Sequence, residues 1–128
     1  MRVWERCRHV LITTQPDDTL VDAAGQMNCY QIGALPVYDE RRLIGIVTER
    51  DLTAAIAEGI DPAATRVVEY MTEQPVTVAP DDDLEVAARR MAELGVRHLP
   101  VVDGGRLVSV LSMRDLLMSE PTTSTRSE

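Results

Sequence analysis

Phenylalanine is absent from the 128-residue sequence, and tryptophan and tyrosine occur only once and three times. A core must therefore be aliphatic, built from Ala, Val, Leu, Ile and Met. Aromatic side chains are too few to form a stacking platform for single-stranded bases. Basic residues are also short, with 13 Lys plus Arg against 21 Asp plus Glu and a formal net charge of −8. Binding a polyanion over a broad surface needs a basic face, so no nucleic-acid partner is expected, although a few Arg residues can still gather around one phosphate. The two cysteines, Cys7 and Cys29, lack C-x-x-C spacing, and the two histidines, His9 and His98, lie far apart. Two free thiols in a reducing compartment are the plain reading, with a Cys7–Cys29 bridge or a metal site as the alternatives. No basic stretch followed by an apolar run opens the chain, and no apolar run approaches membrane-spanning length. A soluble, cytoplasmic protein with no membrane partner is expected. No Ser/His/Asp or Cys/His arrangement, metal-ligand spacing or Walker-type loop is present, so an enzyme is not expected either.

What is present suffices for folding. Hydrophobic residues make up 45% of the chain, and the length allows one compact domain or two very small ones. The chain also repeats itself. Ile12 to Leu52 reads ITTQPDDTLVDAAGQMNCYQIGALPVYDERRLIGIVTERDL, and Val76 to Leu116 reads VTVAPDDDLEVAARRMAELGVRHLPVVDGGRLVSVLSMRDL. Adding 64 to a number in the first segment gives its counterpart in the second, without a gap. Identities include Pro16/Pro80, Asp17/Asp81, Leu20/Leu84, Met27/Met91, Leu35/Leu99, Pro36/Pro100, Arg50/Arg114 and Asp51/Asp115.

The periodicity gives each copy a structure. Leu20, Ala23, Ala24 and Met27 fall on one helical face, and Leu84, Ala87, Ala88 and Met91 repeat it. The Pro-Asp-Asp before each helix reads as a start signal, with Asp18 or Asp82 as the cap. Two apolar runs around Asp39–Arg42, and again around Asp103–Arg106, read as hairpins. A second helix starts near Thr48 and turns Leu52, Ala55 and Ile56 inward until Gly59. Its counterpart starts near Ser112 and runs to about Ser119. Each copy is thus strand–helix–strand–strand–helix, and the fold class is α+β, two βαββα repeats packed sheet to sheet with pseudo-twofold symmetry. Residues 1–60 hold the first repeat with its lead-in, 61–71 a linker with a short helix at Arg66–Tyr70, 72–119 the second repeat and 120–128 a polar, disordered tail. Val3 and Glu5 match Val67 and Glu69 at the same offset. A repeat of roughly 50 residues without a disulfide is marginal alone, so neither half is expected to fold without the other.

The duplicated pattern resembles the CBS domain and its tandem arrangement, the Bateman module. The resemblance is carried by the Ala-Ala-x-x-Met helix, Gly33-Ala34-Leu35-Pro36-Val37 and Gly45-Ile46-Val47-Thr48-Glu49-Arg50-Asp51. It implies a regulatory module that senses an adenosine-containing nucleotide in clefts between the repeats. AMP, ADP, ATP, S-adenosylmethionine or NAD are the possible ligands, and no cofactor is required. Asp51 would hold ribose hydroxyls, with Gly45, Thr48 and Arg50 beside the ribose and phosphate, and Thr77, Val78 and Val96 opposite them. Ser112, Arg114 and Asp115 would form the second site, with Arg97 and His98 near the phosphate and Thr14, Ile32 and Gly33 opposite. A homodimer and a protein partner regulated in trans are also implied.

The chemistry is sound, since a carboxylate accepts two hydrogen bonds from adjacent hydroxyls and a strand leading into a helix offers N–H groups to phosphate. Each feature has a plainer reading as well. T-x-x-D is also a capping box, Val78, Val96 and Ile32 suit core packing, and His98 suits a strand. The second copy has Ser109 where the first has Gly45, which on sequence grounds weakens the Asp115 site. A scaffold for protein interaction or oligomerisation, with no ligand, is the alternative.

Overall fold

The computed structural model describes residues 1–8 and 10–117. The tail from 120, and the end of the last helix beyond Leu117, lie outside them. The elements are α1 (Leu20–Tyr30), β1 (Ala34–Asp39), β2 (Arg42–Thr48), α2 (Glu49–Ala57), β3 (Thr72–Glu73), α3 (Leu84–Leu94), β4 (His98–Asp103), β5 (Arg106–Ser112) and α4 (Met113–Leu117), with one-turn 3-10 helices at Val3–Glu5 and Val67–Glu69. The fold is α+β and built from two copies of one unit. One unit is continuous, Ile12–Val76; the other joins Met1–Leu11 to the chain from Thr77 onward.

The offset of 64 extends into the hydrogen-bond register. β1 pairs antiparallel with β2 from Ala34↔Thr48 to Asp39↔Arg42, with an irregularity between Val37 and Tyr38. β4 pairs with β5 from His98↔Ser112 to Asp103↔Arg106, with the same irregularity between Val101 and Val102. Each hairpin closes through two residues at positive φ, Glu40 and Arg41 in one and Gly104 and Gly105 in the other. A tight turn between twisted strands demands that conformation, and only the second copy supplies the residue type that adopts it freely. The expected first strand is shorter than the pattern suggested. Thr14 makes a single parallel bridge to Val37, and Val78 makes one to Val101.

The helices pack their apolar stripes as expected, with two corrections. Leu20, Ala23 and Met27 are buried, as are Ala87 and Met91, but Ala24 is exposed. Ile56 is 59% exposed although Ala55 beside it is fully buried. The short α2 turns too narrow a face to its sheet to cover both. The caps also move. Thr19 accepts from the Asp22 N–H, and Asp83 accepts from the Glu85 N–H, so these residues cap α1 and α3. Asp18 and Asp82 lie one residue too early and close the preceding turn, accepting from the Gln15 and Ala79 N–H groups.

The lead-ins do not pack on the repeats they precede. Residues 1–8 lie on the second repeat. Val3 and Trp4 N–H donate to the Asp82 and Pro80 carbonyls, and Leu84 N–H donates to the Met1 carbonyl. The linker segment lies on the first repeat through equivalent bonds, from Val67 and Val68 to Asp18 and Pro16 and from Leu20 to the Thr65 carbonyl. Each strap inserts one fully buried valine, Val3 or Val67, into the core of its unit. Burying such a side chain contributes about 1.5–3 kcal/mol. The surface pairs Arg2–Asp81 and Arg66–Asp17 add little, since all four side chains are mostly exposed. The segment read as a linker contributes Val67 to the core of the first unit, and the lead-in at 1–8 contributes Val3 to the core of the second.

Candidate functional site

Each repeat brings its candidate residues together at the step from its last strand into its last helix. In the first repeat Thr48 is the N-cap of α2. Its backbone N–H and its hydroxyl both donate to Asp51 Oδ2, at 2.8 and 3.1 Å, and its hydroxyl accepts from Asp51 N–H at 3.3 Å. The capping box is thus formed, as the plainer reading of T-x-x-D requires. All of these carboxylate bonds fall on Oδ2, which leaves Oδ1 without a hydrogen bond among the described residues. Arg50 is exposed on the first turn of the helix. Glu49 N–H donates to the Gly33 carbonyl, tying the entrance of β1 to the helix start. Ile32 packs against the core of this unit, and buried Thr14 spends its hydroxyl on Asp18 at 2.8 Å.

The second repeat reproduces this junction. Ser112 N–H donates to Asp115 Oδ2 at 3.3 Å, and Asp115 N–H donates to the Ser112 hydroxyl at 3.0 Å. Met113 N–H donates to the Arg97 carbonyl, the counterpart of the Glu49–Gly33 bond. Asp115 differs from Asp51 in burial, being only 9% exposed. His98, directly across the ladder from Ser112, has no counterpart, because Ala34 stands there in the first repeat. Burial pushes the His98 imidazole below its usual 6.5; Asp115 pulls it up and Arg97 pushes it down again. Arg97 and Arg114 are exposed, as are Thr77 and Val96. Val78, at 7% exposure, belongs to the core with Val3 and Cys7, as its plainer reading had it.

Gly45 and Ser109 have a role that the sequence reading assigned to ligand approach. A Cβ placed on Gly45 would lie 2.6 Å from Met71 Sδ and 2.8 Å from the Thr72 carbonyl oxygen. What approaches this glycine is the strap, which here adds β3 to the edge of β2 at Gly45↔Glu73 and Ile46↔Thr72. At the equivalent place in the second repeat Ser109 is fully buried, and its hydroxyl donates to the Arg8 carbonyl. The Ser109 side chain is therefore committed to the strap. The ground for ranking the Asp115 site below the Asp51 site is removed. Arg8, Cys7 and Met71 were missed as partners of this position. The same offset of 64 pairs Arg8 with Thr72 and Cys7 with Met71, but their residue types differ and carry no motif.

Cys7 is buried and Cys29 exposed, and both are free thiols. Burial pushes the Cys7 thiol above 9.0, a hydrogen bond with Ser109 lowers it, and Asp115 raises it. Among the described residues no group of His, Cys, Asp and Glu is arranged to hold a metal ion, and no helix is long and apolar enough to cross a membrane.

The CBS domain profile matches residues 5–58 and again 67–120. The chain belongs to the CBS domain family. Among its relatives, the CBS domain-containing protein YhcV of Bacillus subtilis is 35% identical over 84% of this chain and 77% of its own length. An uncharacterized protein of Methanopyrus kandleri is 34% identical over 93% of this chain, and the chain spans 62% of that relative's length. The CBS domain protein PAE2072 of Pyrobaculum aerophilum, solved as a complex with AMP, superposes with a TM-score of 0.84 at 28% identity, covering 93% of this chain and 92% of that one. The CBS domain pair of protein MJ0100, solved with 5′-methylthioadenosine and S-adenosyl-L-methionine, gives a TM-score of 0.82 at 26% identity, covering 91% and 92%. The fold is that of a CBS domain pair.

Proposed function

We propose that this CBS pair is a regulatory module that binds an adenosine-containing nucleotide at its two strand-to-helix junctions, Thr48/Asp51 and Ser112/Asp115. The observation that carries the reading is the same in both repeats. A carboxylate is fixed by its cap through Oδ2 while Oδ1 makes no hydrogen bond among the described residues. A fixed carboxylate with a free oxygen is suited to ribose hydroxyls, and the AMP and S-adenosyl-L-methionine complexes of structural neighbours support that ligand class. Arg50, Arg97 and Arg114 supply charge for a phosphate, and His98 an imidazole that can hydrogen-bond to it. Capping and binding are compatible roles for the same Asp. Of the two sites, the more deeply buried Asp115 offers the stronger acceptor, because a hydrogen bond to a charged group gains strength away from water.

The test is calorimetry with AMP, ADP, ATP, S-adenosylmethionine and NAD on the parent protein and on Asp51→Asn and Asp115→Asn, each first shown to be folded. Asn retains a cap acceptor and removes the charge. The expected loss is about 10- to 150-fold in affinity for the site affected, from the 1.5–3 kcal/mol of a charged hydrogen bond. The tighter phase should be lost in Asp115→Asn. If no nucleotide binds the parent protein, the carboxylates are caps alone and the module is a scaffold.

Regulation then runs through a partner rather than through catalysis by this chain. A homodimer is part of the proposal, supported by the exposed apolar side chains Ile56 and Leu117, the latter 78% exposed. Light scattering at high concentration that returned the 14.2 kDa monomer mass would remove it.

A further inference from the structure

The two straps enter their sockets through matching backbone bonds. Strap N–H groups reach the carbonyls of Asp18 and Pro16 in one repeat and of Asp82 and Pro80 in the other. A strap carbonyl, from Thr65 or Met1, accepts from the first residue of α1 or α3. Even the flanking ion pairs correspond, Arg66–Asp17 and Arg2–Asp81. Nothing in these bonds tells one strap from the other. Yet each strap docks on the repeat it does not immediately precede, and never on the next one along the chain.

The two differ further along, where the first strap adds β3 to the edge of β2, and at one side-chain contact. In the first repeat the socket residue is Gly45 and the strap residue is Met71, whose Sδ and Cγ fill the space a Cβ would need. In the second repeat the socket residue is Ser109, whose hydroxyl donates to the Arg8 carbonyl, and the strap residue is the smaller, buried Cys7. We propose that Gly45/Met71 and Ser109/Cys7 are matched keys that direct each strap to its own repeat. The 65–73 strap is excluded from the second socket because the Met71 side chain would collide with the Cβ of Ser109. The 1–8 strap is disfavoured in the first socket because Cys7 would leave a void against Gly45, and the carbonyl of Arg8 would lose its hydroxyl donor. The keys thereby reject the topology in which each lead-in folds back on the repeat that follows it.

The proposal concerns assembly of the fold and stands whether or not a nucleotide binds. Its test is a set of exchanged keys, read by urea unfolding of the full chain. Gly45→Ser alone should lower the folding equilibrium constant roughly 5- to 150-fold, the range of core overpacking. Adding Met71→Cys should recover part of that loss, by removing the Met71 clash while the Thr72 carbonyl stays in place, although Met71→Cys by itself is destabilising. Exchanging only the straps, Cys7→Met with Met71→Cys, should be strongly destabilising. Exchanging all four residues, with Gly45→Ser and Ser109→Gly added, should return the stability close to that of the parent. Should Gly45→Ser fail to fold, the strap exchange and the fourfold exchange still give the comparison through folded yield. A second readout follows Cys7 labelling by a thiol reagent in a Cys29→Ser background. Ser109→Gly should speed labelling at least about tenfold through local release of the strap, while Gly45→Ser should leave it near the parent rate in the folded protein. The proposal is overturned if the effects at 45 and 71 simply add, or if the fourfold variant is no better than the strap exchange.

Discussion

At the scale of single residues, charge and burial decide more than residue type. His98 shows this most clearly. Its imidazole is held below 6.5 mainly by burial. The unfolded chain takes up the proton near 6.5 and the folded chain resists it. The stability that depends on neutral His98 is therefore present above that pH and lost as pH falls through it. His98→Gln should lose less stability than the parent between about pH 7 and about pH 5, measured by urea midpoints at each pH. Equal losses in the two proteins would show that His98 does not titrate in this way. The Thr48/Asp51 and Ser112/Asp115 pairs were legible in the sequence because their spacing has one local geometry. The burial of Asp115 and the commitment of Ser109 to Arg8 were not legible. Both depend on which segment lies across the strand, and no local pattern states that.

At the scale of elements, the two repeats are unequal in how well their turns suit them. Gln31, Glu40 and Arg41 hold positive φ, and their counterparts at the offset of 64 are Gly95, Gly104 and Gly105. The left-handed conformation costs a residue with a Cβ roughly 1–2 kcal/mol. Arg41→Gly should therefore raise stability by about 1 kcal/mol, and Gln31→Gly by somewhat less, since the Gln31 side chain donates to the Asn28 carbonyl. Denaturant midpoints on single variants would measure both, and a fall in midpoint for Arg41→Gly would contradict the reading of the hairpin. Helices α1 and α3 and both hairpins were read correctly because their apolar periods and turn residues are local. The first strand of each repeat shrank to one bridge. Its Thr- and Val-rich composition suited a strand, but too little partner backbone lies beside it to extend the ladder. Ile56 faced outward for a related reason: the period fixed a stripe on α2 but not how wide a stripe the sheet could cover.

For the whole molecule, the exchange of straps changes what counts as a half. The sequence suggested a division near residue 60, and a piece ending at Gly59 lacks Val67, Met71 and β3. Residues 12–76 contain all of them in one continuous segment. A fragment of 12–76 should unfold cooperatively in urea, whereas 12–59 should give no cooperative transition. Residues 77–128 should gain cooperative structure only when 1–11 is supplied, as a peptide or through a fused linker. If 12–59 unfolds as cooperatively as 12–76, the strap is not part of the core. The duplication itself was plain in the sequence. The crossing of the straps was not, because a constant offset pairs Val3 with Val67 without saying which repeat either one covers.

The split second unit has a consequence for the order of events during synthesis. The ribosome delivers 12–76 as a finished piece, so the first unit can close while the rest is still being made. The opening segment has no such partner waiting. Val3, Trp4 and Cys7 emerge before the first unit, yet the surface that receives them is the last described part of the chain to appear. At a rate of about 5–20 residues per second, translation from Thr77 to Leu117 takes roughly 2–8 s, and for at least that long these residues remain in solvent. A segment made before the first unit is thus placed only after that unit is finished.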